Sequence, residues 1–170
     1  MQTPPQEHLQ NSPETPYFYA VGVRKFVALW LGSLGFYGLH WFHAHWRVIR
    51  DRTAGDFKPW QRTLLAGSWC EPLLAQFVEA ADGAKPFKPR TRAVLWLALT
   101  ATLLLGPPLS LLCPFAFLPL VAAQQLANQV AAVRTPGADA NTRIRGGEWL
   151  VLLPLAAVIA FGVGLLAGRL

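Results

Sequence analysis

Charged side chains are scarce in this chain of 170 residues, and they are unevenly placed. Only 14% of the residues are Asp, Glu, Lys or Arg, whereas soluble domains carry about 25%. Three stretches contain none of them, namely 26–46, 93–133 and 149–168. Because a soluble surface needs charge and a membrane span needs about 20 mostly apolar residues, this pattern argues against a soluble domain and predicts an integral membrane protein.

Cysteine is also rare, and the usual catalytic motifs are absent. Cys70 and Cys113 lie in apolar stretches without a C-x-x-C spacing, which is typical of packing residues rather than a disulfide or zinc pair. There is no glycine-rich phosphate loop, no G-x-S-x-G and no H-E-x-x-H. The sequence therefore predicts no enzymatic chemistry and no cofactor.

The apolar stretches predict an all-α, polytopic membrane protein. Residues 1–23 carry several prolines and predict a disordered polar tail, and 24–170 form a single helical membrane domain. Residues 64–78 are too short to cross easily and predict a short, re-entrant or interfacial helix. Gly106, Pro107 and Pro108 are expected to divide the longest stretch. We thus expect three to four transmembrane helices, over 26–46, 93–112, 149–168 and, less clearly because one face is polar, 113–133.

The positions of the basic residues predict an orientation. If 93–133 enters and returns and 64–78 does not cross, the loops 47–92 and 134–148 share a side with 12 of the 15 Lys and Arg residues. The positive-inside rule then places both loops in the cytoplasm and the tail opposite. The net charge of +6 fits anchoring to lipid. We expect the bilayer as partner and no nucleic acid.

Two sets of side chains predict how the spans pack and where they sit. Recurring small residues allow close contact between helices, within one chain or in a homodimer; they are Gly32, Gly35, Gly38, Ala156, Ala160, Gly164 and Gly168. Aromatic residues predict a belt at the membrane interface; they are Tyr37, Trp41, Phe42, Trp46, Trp60 and Trp149.

Few residues could carry chemistry. His40 and His43 lie about one helical turn apart and are weak candidates for a metal site, but no second histidine group or acidic pair accompanies them. The favoured interpretation is that they are interfacial residues. Glu71 is an ionisable group within an apolar stretch, which suggests function if it lies at membrane depth and nothing if it faces water. Gln125 and Asn128 belong to a polar helical arc that either faces water or bonds to neighbouring helices.

The aromatic run within residues 25–51 resembles a family of uncharacterised small bacterial inner-membrane proteins, a domain of unknown function with a T-L-G-x-Y-x-x-Y-W-F-Y-like signature. The matching residues are Leu34, Gly35, Tyr37, Trp41, Phe42 and Trp46. Pro59-Trp60-Gln61-Arg62 is similar to the family's proline-aromatic-x-arginine element, and the helix around Gln125 and Asn128 is similar too, so the likeness covers about residues 24–133. His40 and His43 depart from the signature by replacing aromatics. The resemblance implies a multi-pass protein of a bacterial inner membrane, with no assigned activity.

Three functions remain open at this point. The favoured one is a non-catalytic accessory or structural membrane component, because chemistry is lacking and small-residue stripes are present. The first alternative is a small transporter or channel component that uses Glu71 and the helix bearing Gln125 and Asn128. The second is a metal-dependent membrane enzyme at His40 and His43.

Overall fold

The protein is described by a computed structural model over residues 16–82, 87–144 and 146–167, and this part of the chain contains helices and no strand. The all-α class is therefore confirmed. The α-helices, in chain order, are α1 (Val23–Gly32), α2 (Tyr37–Thr53), α3 (Pro59–Leu64), α4 (Ala66–Ala80), α5 (Pro89–Ala101), α6 (Leu118–Arg134) and α7 (Leu153–Ala167). Tighter 3₁₀ segments cover Thr102–Leu105, Leu109–Phe117 and Gly146–Leu152.

The stretch 26–46, predicted as one span, is divided between two helices. α1 ends at Gly32 and α2 begins at Tyr37, and the turn between them has positive φ at Leu34 (54°) and Gly35 (95°). Glycine adopts this region without steric cost, which explains Gly35 at the turn. The Tyr37 amide donates a hydrogen bond of 2.8 Å to Ser33 Oγ, so the serine side chain satisfies an amide at the start of α2.

The later predicted spans differ in their bounds. Of the predicted span 93–112, α5 covers only the part up to Ala101. The helical structure is interrupted at Gly106 (φ 70°), where the sequence predicted a division. Of the described residues, only Leu109–Arg134 forms a helical stretch long and apolar enough, by length and composition, to cross a membrane. The stretch 149–168 is divided between a 3₁₀ segment and α7. Residues 64–78 lie mostly in α4, which continues past Pro72.

An aromatic core fills the space between the N-terminal segment, α1, α2, α4 and α6. Its fully buried members include Phe18, Phe26, Trp41, Phe42, Trp46 and Phe77. Phe18 meets the Phe77 ring edge-on at 4.7 Å between centres. Because Phe18 and Val21 are both buried, the polar tail predicted over 1–23 does not extend to residue 23. Residues 1–15 of that prediction lie outside the described part.

Contacts of the N-terminal segment contradict one part of the predicted topology, the placement of the tail and the loop 134–148 on opposite sides. The Tyr17 amide donates to Thr135 Oγ1 at 3.4 Å, and Lys25 Nζ donates to Asn141 Oδ1 at 2.7 Å. The edge of the tail and the loop 134–148 therefore lie together, whereas the charge distribution had placed them on opposite sides. The division of 26–46 into α1 and α2 explains the difference, because the chain turns where a single helix was expected to continue.

Large apolar side chains cover much of the outer surface. One set lies on α5, the 3₁₀ segments and the start of α6, and comprises Val94, Leu95, Leu97, Leu103, Leu104, Leu105, Leu109, Leu111, Leu112, Phe115 and Leu118. A second set lies on α7 and comprises Leu153, Val158, Phe161 and Val163. All of these residues are exposed, and we call the first set the leucine surface.

Candidate functional site

A buried polar network joins α2 and α6 at the centre of the aromatic core. The Gln124 carbonyl oxygen accepts hydrogen bonds from Trp41 Nε1 at 2.6 Å and His45 Nε2 at 3.2 Å. All three residues are fully buried. Since the amide oxygen only accepts, His45 carries its proton on Nε2. His45 Nδ1 then faces the core as an acceptor without a hydrogen-bond partner in the described part of the chain.

The same glutamine fastens the N-terminal segment. Gln124 Nε2 donates to the Tyr19 carbonyl at 3.2 Å and to Asn128 Oδ1 at 2.7 Å. Asn128 in turn donates to the Val21 carbonyl at 2.9 Å and accepts from the Val21 amide at 3.3 Å. The backbone of an extended segment cannot form hydrogen bonds within itself. The side chains of Gln124 and Asn128 therefore bond to the backbone groups of Tyr19 and Val21, as a neighbouring strand would.

A second cluster surrounds Lys25 at the start of α1. Its side chain is 1% exposed, and Nζ lies 2.7 Å from Glu148 Oε2. Nζ also donates to Asn141 Oδ1 at 2.7 Å and to the Arg143 carbonyl at 2.8 Å. An ammonium group has three donors, and all three are used here. The Lys25 cluster therefore holds the loop before Gly146–Leu152 against α1.

Tyr19 connects the two groups of polar residues. Its hydroxyl shares a hydrogen bond of 3.3 Å with the Tyr37 hydroxyl and accepts one of 3.3 Å from Asn141 Nδ2. Burial raises the pKa of the Tyr19 phenol above its ordinary value, so the hydroxyl stays neutral. Beside it opens a cleft of about 470 Å³, lined by Ser33, Tyr37, His40, Glu148 and mostly apolar residues.

The residues predicted to carry chemistry are not brought together. His40 is exposed, His43 is half-buried, and Glu71 and Gln125 point to the outside of α4 and α6. No group of three or more His, Cys, Asp or Glu residues that could hold a metal ion occurs in the described ranges. Asn128 alone among the predicted polar residues belongs to the buried network.

Most residues of the predicted aromatic belt lie in the core of the protein. Tyr37, Trp41, Phe42 and Trp46 are buried among other side chains. The exceptions, Trp60 and Trp149, are more than half exposed and are therefore the two that could face an interface. The reason is that α2 packs against α3, α4 and the segment before α1.

The small residues divide into two kinds. A Cβ built on Gly32 would lie 3.1 Å from the Leu152 Cα, and one on Gly38 would lie 2.8 Å from the Trp30 ring. These glycines permit close packing within the chain. Ala156, Ala160 and Gly164 are exposed on α7, with nothing within 4 Å of a Cβ at Gly164, and Gly168 lies outside the described residues.

Two central residues were missed from the sequence. Gln124 belongs to the same polar arc as Gln125 and Asn128, and nothing in the sequence distinguishes it from Gln125. Lys25 directly precedes the first apolar stretch, a position typical of a cation at a membrane edge. A signal did exist for Lys25, since a buried lysine needs an acidic partner and Glu148 is the acid that precedes the last apolar stretch. The contacts of both clusters run between groups of the same chain and hold the N-terminal segment, α2, α6 and the loop before Gly146–Leu152 together.

Comparison of the chain with protein-family models, curated proteins and solved structures finds no significant match. The resemblance to the uncharacterised bacterial family remains a prediction.

Proposed function

We propose that this protein is a small multi-pass membrane protein that acts as a non-catalytic accessory or structural component. The observation that carries the proposal is the leucine surface. Contiguous exposed apolar patches on soluble monomers seldom exceed a few hundred Å². Eleven large apolar side chains exposed between Val94 and Leu118 instead suit lipid or a partner within the bilayer.

The helical stretch Leu109–Arg134 supports the membrane assignment. It combines spanning length with a mean hydropathy of 1.6, and 39% of its most apolar window is buried inside the structure. A core helix of a soluble protein would be mostly buried. The larger part of this stretch therefore has room to meet lipid, while Gln124 and Asn128 face inward and are hydrogen-bonded.

The non-catalytic role rests on how the buried polar groups are used. Gln124, Asn128 and Lys25 each bond to groups of the same chain. The transporter alternative needs these amides free to meet a solute together with Glu71, but Glu71 lies on the exposed side of α4. The metal alternative needs more ligands than His40 and His43 provide.

We further propose a bacterial inner membrane as the location, since the resemblance through Trp41, Phe42 and Trp46 implies it. Alkaline carbonate extraction of membranes tests the first part of the proposal. The protein should stay in the pellet, and release into the supernatant would contradict membrane integration.

Native mass spectrometry tests the role. After gentle extraction from its own membrane, the protein should appear in a defined complex, with itself or with another protein. A bare monomer that carries a stoichiometric metal or a small solute would contradict the accessory role and favour catalysis or transport.

A further inference from the structure

The short helix α3 exposes an apolar side beside basic residues. Trp60, Leu64 and Leu65 are exposed, with Leu64 at 70%. A cleft of about 510 Å³ opens here, bordered by Lys58 and Arg62 as well as by these apolar residues. Exposed tryptophan and leucine next to cations are typical of surfaces that sit at the boundary between lipid headgroups and acyl chains.

Arg62 is held in this cleft by aromatic rings. Its guanidinium carbon lies 3.6 Å from the centre of the Phe57 ring, 4.3 Å from Trp69 and 4.4 Å from Trp46. Ring faces attract and orient a cation without cancelling its charge. The ion pairs formed among the described residues do not include Arg62. Its positive charge therefore remains available to an anion that enters the cleft.

The cleft continues into the leucine surface. A Cβ at Gly67 would lie 3.6 Å from Leu97 Cδ1, so the start of α4 touches the exposed side of α5. Leu64 and Leu65 lie just before this contact in the chain. Lys58 directly precedes α3, and Arg62 lies in its last turn with its guanidinium over the ring of Phe57. The cleft thus combines two cations with apolar side chains, and the chain that follows these apolar residues contacts the leucine surface.

We propose that this cleft binds an anionic phospholipid. Lys58 and Arg62 take the phosphate of the headgroup, Trp60 lies at headgroup level, and an acyl chain runs over Leu64 and Leu65 towards Leu97. A phosphate is favoured because it offers several oxygens to two neighbouring cations. A zwitterionic lipid lacks the net charge that these cations attract. The inference rests on the proposed membrane location.

Lipid titration followed by native mass spectrometry tests the site. Delipidated protein in a neutral detergent is titrated with phosphatidylglycerol and, separately, with phosphatidylcholine of the same acyl chains. Lys58→Gln is the informative variant because Lys58 is exposed, and substitutions of exposed residues usually change stability little. Arg24→Gln is the matched control, an exposed cation at the start of α1. Arg62→Lys keeps the charge but loses the planar stacking on three rings.

The wild type should prefer phosphatidylglycerol, and Lys58→Gln should weaken that binding about fivefold while Arg24→Gln leaves it unchanged. Equal binding of both lipids, or an equal loss in both variants, would overturn the site. Soluble glycerol 3-phosphate should not compete at matched concentration. If it does, the cleft is a phosphate site rather than a lipid site, and the proposal fails. An acidic protein that displaces the lipid and copurifies with the wild type alone would also overturn it.

The carbonate extraction described above separates this inference from the proposed function. A protein that stays in the membrane pellet but shows no lipid preference contradicts only the phospholipid site. A protein released into the supernatant contradicts the membrane location on which the site depends.

Discussion

The Arg52 guanidinium lies 3.9 Å from the centre of the Tyr17 ring and donates a hydrogen bond of 2.5 Å to the Tyr17 carbonyl. These residues stand on the two sides of the stretch 26–46. A helix that crossed the bilayer there would separate its ends by about 30 Å. The contact instead brings the tail edge and the end of α2 together, so the two flanks of this stretch must lie on one side of any membrane.

Cysteine labelling should show this shared side. In a Cys70→Ala/Cys113→Ala background, Pro16→Cys and Thr53→Cys should react with a membrane-impermeant maleimide from the same side of sealed vesicles. Phe36→Cys lies in the exposed turn between α1 and α2 and serves as the comparison. It should not react with the maleimide from the side that labels residues 16 and 53. Labelling of residues 16 and 53 from opposite sides would restore a single crossing at 26–46.

Replacing Gln124 should destabilise the fold far more than replacing its neighbour. Gln124→Leu leaves Trp41 Nε1 and the Tyr19 carbonyl without their partner, and buried unpaired groups of this kind should lower the free energy of unfolding by about 2–4 kcal/mol. Gln125→Leu changes an exposed residue of the same type one position away and should stay within about 0.5 kcal/mol. Denaturant unfolding in detergent, followed by tryptophan fluorescence, measures both. Equal effects would mean that the network does not stabilise the protein.

The pair Gln124 and Gln125 shows what the sequence could and could not predict. The helical class and the break at Gly106 follow from composition and from proline and glycine chemistry, which act locally. The face that α6 turns inward depends on α2 and on the segment before α1, which are distant in sequence. Periodicity placed Gln124 and Gln125 on one arc, but only packing decides which of them meets Trp41.

The aromatic residues illustrate the same limit. Trp41 and Trp46 are as suitable for an interface as for a core, since each ring has a large apolar area and one polar atom. The glycines at positions 32–38 were predicted as packing sites along one helix. Gly35 instead adopts positive φ in a turn, and this turn changes the path of the chain and the orientation inferred from it.

Removing the Lys25 ammonium should loosen the loop that precedes the last apolar stretch. Lys25→Met removes a partner of Glu148 and Asn141, and we expect the free energy of unfolding to fall by about 2 kcal/mol. This is less than the cost of breaking a fully buried ion pair, because the Glu148 side chain is 31% exposed. Arg24→Gln, one residue earlier and exposed, should have little effect. Limited proteolysis between residues 135 and 145 should become faster in the first variant only.

A double-mutant cycle checks that Lys25 acts through Glu148. Glu148→Gln should destabilise the wild type more than it destabilises Lys25→Met, because the second background already lacks the pair. Thermal unfolding of the four proteins in one detergent gives the coupling free energy. Strictly additive losses would show that the 2.7 Å contact contributes nothing to stability.

The small residues of α1 and α7 should respond in opposite ways to an added methyl group. Gly32→Ala places its Cβ 3.1 Å from the Leu152 Cα, and overpacking against backbone should cost about 1–3 kcal/mol. Gly164→Ala meets nothing within 4 Å and should leave the fold unchanged or gain up to about 1 kcal/mol from helix propensity.

Because Ala156 and Ala160 share the exposed side of α7 with Gly164, a second copy packed there would be displaced by Gly164→Ile. Sedimentation in detergent should then show lost association with normal unfolding, and unchanged association would exclude this stripe as the contact between chains.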